Sequence, residues 1–256
     1  RVGNISAPVM NDTAYLTGLS IPIPNGGSGA KVEVLITYVS VGSGGISSGS
    51  TSKIRLTKVK YMNGSGAQTM SSLTVDGPQM TLVGSKPTIT FGLPNGATGT
   101  VITGLSGGQK YVADVNIKAD ESGDIGIKSI PVRFNGNVAG TQVTITDSSD
   151  LIIKDASGSS ISGYTVGSIV GSGTSSASAV ITFSGAGYRI NAGQTVTFKI
   201  EANVSAVASD SSLITDITPG SSFTWTDIAG GGATGARDAS NGVMPNYPTT
   251  AVSMRS

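Results

Sequence analysis

Three carboxylates crowd the stretch ADESGD: Asp120, Glu121 and Asp124. Carboxyl groups so spaced suit two chemistries, a calcium site built from side-chain oxygens or an acid–base pair for cleaving a glycosidic bond. A second acidic run, TDSSD from Thr146 to Asp150, offers the same groups. ADESGD is short, however, and lacks the alternating D-x-[DN]-x-[DN]-G order of a calcium loop. No aromatic cluster stands beside it to stack on a sugar. Ser122 and Gly123 at its centre supply turn chemistry, and the residues around it, Tyr111 to Asn135, alternate in strand fashion. The segment therefore predicts a β-hairpin with ADESGD as its bend. No metal ligand and no cofactor are assigned, structural calcium at this bend being the minor alternative.

Other chemistry is constrained by what the chain lacks. It contains no histidine and no cysteine, which removes His-dependent triads, Cys-His pairs, zinc-thiolate sites and disulfides. Carboxylates, Lys, Tyr or a Ser-Lys pair would have to carry any catalysis, so no catalytic residue is assigned and no enzyme activity is expected. The glycine-rich run GGGATGA, Gly230 to Ala236, has no P-loop Lys-Ser/Thr and reads as a flexible connection. Trp225, the sole tryptophan, shares a strand face with Phe223 and reads as a plug between sheets, with a sugar-stacking platform as the alternative. Lys58, Lys60, Lys118 and Lys128 read as edge guards or solvent-facing residues; an isopeptide cross-link is the alternative. Among the Asn-x-Ser/Thr sequons, Asn203 is the best candidate for a surface glycan.

Sixteen basic and fifteen acidic residues nearly cancel, and no run of like charge appears. That composition argues against nucleic-acid binding and against attraction to an anionic membrane. No apolar run approaches the length of a membrane-spanning helix. The opening RVGNISAPVM lacks the charged and apolar regions of a secretion signal, which leaves a cleaved signal or a longer product. The glycine, serine and threonine content suits an extracellular β protein.

The elements that would position these groups are strands. Period-2 alternation recurs, most clearly from Lys31 to Val41, Lys53 to Met62, Gln79 to Gly84, Thr88 to Leu93, Tyr111 to Asp120, Ile125 to Phe134, Thr141 to Asp147, Asp150 to Asp155, Ala179 to Gly185, Thr195 to Val204 and Ser222 to Asp227. Gly/Ser-rich turns separate them. The fold class is all-β, with tandem immunoglobulin-like β-sandwich modules and Gly/Ser-rich loops. IPIPNGGSGAKVEVLITYVSV (Ile21 to Val41) is echoed by GYRINAGQTVTFKIEANVSAV (Gly187 to Val207), which suggests an internal repeat. On that basis residues 1–86 form an N-terminal module that reads as incomplete, and residues 87–256 a larger C-terminal one. The first module is then a smaller sandwich, part of a longer tandem array, or a module that strand addition from another copy completes. Residues 2–19 are the candidate donor, the rival reading being an ordinary first strand of their own domain.

The runs TLVGSKPTITFGLPNG, KYVADVNIKADESGDIGIKSIPVRF, ITFSGAGYRINAGQTVTFKIEANV, SFTWTD and MPNYPTTAVSMRS together resemble secreted repeat proteins of small-genome candidate-phyla bacteria, of the surface-layer or extracellular-fibre type. The resemblance covers most of Pro87 to Ser256 and carries no catalytic residues; members are usually longer, and this chain begins mid-module. It implies an extracellular, cell-surface location and self-association. The function expected is that of a structural subunit of a filament or surface layer, polymerising with copies of itself by edge pairing or strand donation. The alternative is an adhesin or carbohydrate-binding module of a larger surface protein, with a cell-surface glycan as partner.

Overall fold

The structure is a computed structural model that describes residues 5–23, 26, 29–136, 142–144, 149–171, 175–217, 222–237, 244 and 247–256. The chain divides into two compact units, residues 1–38 and 39–256. In the first unit the sole β-bridge among the described residues is Met10–Thr13, closed over a turn at Asn11 and Asp12. Both turn residues have positive φ, 50° and 59°, a conformation that Asn and Asp tolerate because their short side chains bond locally. The strand expected from Lys31 to Val41 does not form: residues 29–40 carry no ladder. Alternating β-branched residues fit a pleated surface, but a strand exists only where a partner takes up its N–H and C=O groups.

The second unit holds three sheets, mostly antiparallel, and no α-helix among its described residues. The first is a two-stranded sheet of β1 (Thr51–Asn63) and β2 (Gly66–Thr81). Its turn is fixed by the Ser65 N–H donating to Asn63 Oδ1 at 2.9 Å. Most described side chains of this sheet are exposed, and two register shifts interrupt the ladder.

The other strands are β3 (Pro87–Gly92), β4 (Val101–Thr103), β5 (Gly108–Ala119), β6 (Ile125–Gly136), β7 (Gln142–Thr144), β8 (Leu151–Lys154), β9 (Tyr164–Val170), β10 (Ser176–Phe183), β11 (Tyr188–Ile190), β12 (Thr195–Ser205), β13 (Ser212–Asp216), β14 (Phe223–Asp227), β15 (Ala233–Arg237) and β16 (Val252–Arg255). They make two sheets. A five-stranded sheet runs β3-β5-β12-β7, with β8 also on β12. A nine-stranded sheet is organised around β6, which pairs with β14 and β13 and also with β10 and β11. Among the described strands the one parallel pair is β16 with β4.

One cluster of buried side chains draws on both sheets: Val115, Ile117, Phe198 and Ile200 from the five-stranded sheet meet Ile127, Phe134, Ile181 and Trp225 from the nine-stranded one. Trp225 and Phe223 are fully buried within it, as their shared strand face predicts. An aromatic chain of Tyr164, Phe183, Tyr188 and Phe198, with ring centroids 5.1–6.1 Å apart, extends this core. Burial of that apolar surface is what holds the two sheets together, at about 1.5–3 kcal/mol for each large side chain removed from water.

The hairpin expected from Tyr111 to Asn135 is not formed. β5 pairs with β3 and β12, whereas β6 belongs to the other sheet, and the two do not pair with each other. ADESGD is therefore an arch carrying the chain from one sheet to the next. Alternation fixes which face of a strand is apolar, and that face is satisfied whether the following strand lies beside it or across the core. The expected flexible connection at Gly230–Ala236 is corrected as well. It is a turn followed by β15, which pairs with β14 over five residues.

Candidate functional site

The three carboxylates of the arch diverge. Asp120 accepts the Ser122 N–H at 2.9 Å and the Ser122 hydroxyl at 2.6 Å, the local bonding that Asp uses to shape a turn. Those bonds, the hydroxyl first, hold its carboxyl below the usual carboxylate range. Asp124 instead pairs with the Arg189 guanidinium of β11 and accepts the Ala192 N–H at 2.8 Å. The arginine, followed by that N–H, keeps its carboxyl low too. Glu121 is 85% exposed in its side chain and lies 3.7 Å from Lys118. Among the described residues no group of three or more metal-ligating side chains converges. Of the second acidic run, residues 146–148 lie outside the described residues; Asp150 is described, and its carboxylate accepts from the Asn203 side-chain amide at 3.1 Å. That bond, on a β12 residue paired with both β5 and β7, occupies the amide of the sequon singled out for a glycan.

The arch is anchored from outside as well. Ser122 Oγ, which shares its one proton between Asp120 and the Gly84 carbonyl, lies 2.7 Å from that carbonyl oxygen; Ser85 Oγ donates to the Gly123 carbonyl at 2.6 Å and the Asp120 N–H to the Lys86 carbonyl at 3.1 Å. These bonds tie it to the segment joining β2 to β3.

Below them lies the group that sequence reasoning passed over. Asp227, at the end of β14, is 1% exposed. Its carboxylate accepts four hydrogen bonds: from Ser48 Oγ, from the Gly84 N–H at 2.7 Å, from the Ser85 N–H at 3.0 Å and from the Gly230 N–H at 2.8 Å. A buried carboxylate is tolerated only when its lone pairs are so filled. The site demands glycine around it. A Cβ at Gly230 would lie 2.1 Å from Asp227 Oδ2, and one at Gly123 would lie 2.1 Å from the Ala229 Cβ. Its signal in the sequence was an aspartate closing a strand before Ile-Ala-Gly-Gly-Gly, a pattern that also marks ordinary turns.

Two further polar pairs serve the sheets. On β5, the Tyr111 hydroxyl donates to the Asp114 carboxylate and accepts the Asn95 N–H at 3.0 Å; Gly96 N–H also reaches Asp114, at 3.3 Å. Burial, and then Asp114, push the Tyr111 phenol far above its usual range, so it stays protonated and donates. The Lys199 ammonium lies 5.5 Å from the centroid of the Tyr111 ring, a cation–π contact. On β6, Arg133 pairs with Asp216 of β13 at 2.8 Å, and the Asp216 side chain is only 5% exposed.

Lys58 and Lys60 lie exposed on β1, and Lys118 is exposed on β5; Lys128 donates to the Gly185 carbonyl. The arrangement of charged and polar groups is thus one of internal closure: each carboxylate just described except Glu121 is engaged by donors from its own fold. A general base needs a lone pair directed at a substrate, and these lone pairs are directed at donors of the fold itself, on strands and loops alike. What the unit leaves open instead is backbone and apolar surface. Among the described residues β1 and β2 pair only with each other, and Leu56, Tyr61, Met62, Met70 and Val75 on them are exposed. In the first unit, described by itself, Val9, Met10, Tyr15, Ile23, Val32, Val34 and Leu35 are exposed. Residues 2–4 of the candidate donor lie outside the described residues, and the rest of it forms no ladder beyond the Met10–Thr13 bridge.

No family model matches the chain, and no curated protein matches it.

Proposed function

We propose that the protein is a structural subunit of an extracellular assembly, a filament or surface layer, that polymerises with its own copies through β-strand edge pairing or strand donation. The observation that carries this reading is a contrast within one chain. Among the described residues, the two-sheet body buries most of its large apolar side chains, Val101 and Val170 being exposed, while the residues before it and the β1–β2 sheet leave many large apolar side chains and strand edges open. Isolated two-stranded sheets are marginal in water, and unguarded edges invite pairing. Head-to-tail contacts whose rotation does not close a ring propagate into open assemblies.

In this reading the two-sheet body is an immunoglobulin-like module of the secreted repeat proteins whose sequence runs it resembles. It works at the cell surface without catalysis, metal or cofactor. Low charge and a saturated polar interior suit a subunit whose task is to persist. A carbohydrate-binding role has less support, because Trp225, the strongest candidate for a sugar platform, is fully buried.

Negative-stain electron microscopy of the native material, with size exclusion of the isolated chain over a range of concentrations, tests the proposal. Regular filaments or sheets are expected. A monomer at every concentration would overturn it.

A further inference from the structure

We infer that residues 32–37 of one copy add as a third strand to the open edge of β2, at residues 66–71, in a second copy; this rests on the self-assembly reading above and names its donor and its acceptor. The donor is the segment KVEVLITYVS, Lys31 to Ser40. It has the strongest period-2 pattern of the first unit, yet it carries no β-ladder. Val32, Val34 and Ile36 fall on one face of an extended chain, and all three are exposed, Val32 at 51%. Residues 32–37, whose alternation suits a half-buried and paired strand, are exposed and hold no ladder.

The acceptor has the reverse deficit. β1 and β2 form a sheet of only two strands, one short of the number that stabilises a sheet by itself. Its two edges differ. β1 carries Lys58 and Lys60 along this stretch, charged residues of the kind that block edge pairing; Lys53 and Arg55, further along, pair with Asp76 of β2. β2 from Gly66 to Ser71 carries no charge and pairs residue for residue with β1, Gly66 opposite Asn63 and Ser71 opposite Lys58. Beyond Ser71 a register shift breaks the edge. The usable edge of six residues matches the donor's alternating stretch.

Side-chain chemistry fixes which face goes where. Directly opposite residues share a face, so Val59 and Met70 lie with Tyr61 and Gln68 on one side, and Lys58 and Lys60 lie with Thr69 on the other. Setting the donor's Val32, Val34 and Ile36 beside Met70 extends the apolar face across a third strand. The same placement puts Glu33 on the face that carries Lys58 and Lys60. Val32, Val34, Ile36 and Glu33 thus select the same orientation, with Leu35 beside Glu33 on the charged face. Each copy holds one donor and one acceptor, so the contact is head-to-tail and repeats from copy to copy wherever its rotation does not close a ring.

The test is hydrogen exchange read by mass spectrometry on the full chain, dilute and concentrated, beside size exclusion of the same samples and of the variants Val34→Pro and Val34→Thr. Concentration is expected to yield large species and to slow the amides of residues 32–37 and 66–71 together, by about tenfold or more. Val34→Pro, which cannot donate to a ladder, loses both effects; Val34→Thr, still β-branched, keeps them. Assembly that survives Val34→Pro with neither segment protected overturns this inference and leaves the self-assembly reading standing. Equal protection in the dilute monomer assigns the strand to its own chain and overturns the second-copy contact. Absence of assembly in the wild-type chain overturns both.

Discussion

Replacing Asp227 by alanine removes the one acceptor shared by Ser48 Oγ and the Gly84, Ser85 and Gly230 N–H groups. Each donor left buried without a partner costs about 1–3 kcal/mol. The sum is reduced because the carboxylate's own desolvation cost disappears, and because Ser48 can rotate its hydroxyl towards water. Gly84, Ser85 and Gly230 cannot turn away, since a backbone N–H moves only with its chain. A loss of about 3–5 kcal/mol is expected, the range found when one partner of a buried polar set is deleted. In a unit of this size that lowers Tm by roughly 6–20 °C. Asp227→Asn has nearly the same shape but keeps one acceptor oxygen and turns an NH2 towards N–H donors, so it should fall between alanine and wild type. Urea unfolding followed by the fluorescence of Trp225, which lies two residues away on β14, measures both. A loss below about 1 kcal/mol for Asp227→Ala would refute the claim that this carboxylate pins the loops over the arch.

Gly230→Ala forces a Cβ to within 2.1 Å of Asp227 Oδ2 and should destabilise by about 1–3 kcal/mol, read in the same unfolding assay; a neutral result would mean the turn relaxes freely. Trp225 should be shielded from an aqueous quencher until the protein unfolds, because it is fully buried in the shared core; quenching in the folded state would contradict that placement. Asp124 gives a pH signature. Its carboxyl is held low in the folded chain, first by Arg189 and then by the Ala192 N–H, so its contribution to stability is complete above the unfolded carboxylate value of about 3.9 and fades as pH falls through the folded value. A carboxylate NMR titration should find Asp124 below the ordinary midpoint, with Arg189→Ala returning it towards normal; an unchanged midpoint in the variant would refute the assignment of cause.

Most strands were legible because their evidence is local. Thr88 to Leu93, Thr195 to Val204 and Ser222 to Asp227 alternate cleanly and became β3, β12 and β14. Trp225 and Phe223 were legible as core for the same reason, since residues two apart share a face. The acidic bend was legible as a bend, but its course between sheets was not. Asp227 was illegible because its acceptor role depends on Ser48 and Gly84, 179 and 143 residues away in sequence.

The two echoing segments mark where the sequence's authority stops. Ile21 to Val41 and Gly187 to Val207 share a turn followed by an alternating run, and local propensity treats them alike. The later one contains β11 and β12, with β12 paired to β5, β7 and β8, while the earlier one holds no ladder through Ser40. The sequence by itself determined the secondary-structure class, the apolar faces, and the absence of histidine and cysteine chemistry, because these follow from residue type and period. Tertiary structure alone decided which strands are neighbours, which carboxylate is buried, and which alternating run is left open, because hydrogen-bond partners and burial belong to pairs of distant segments.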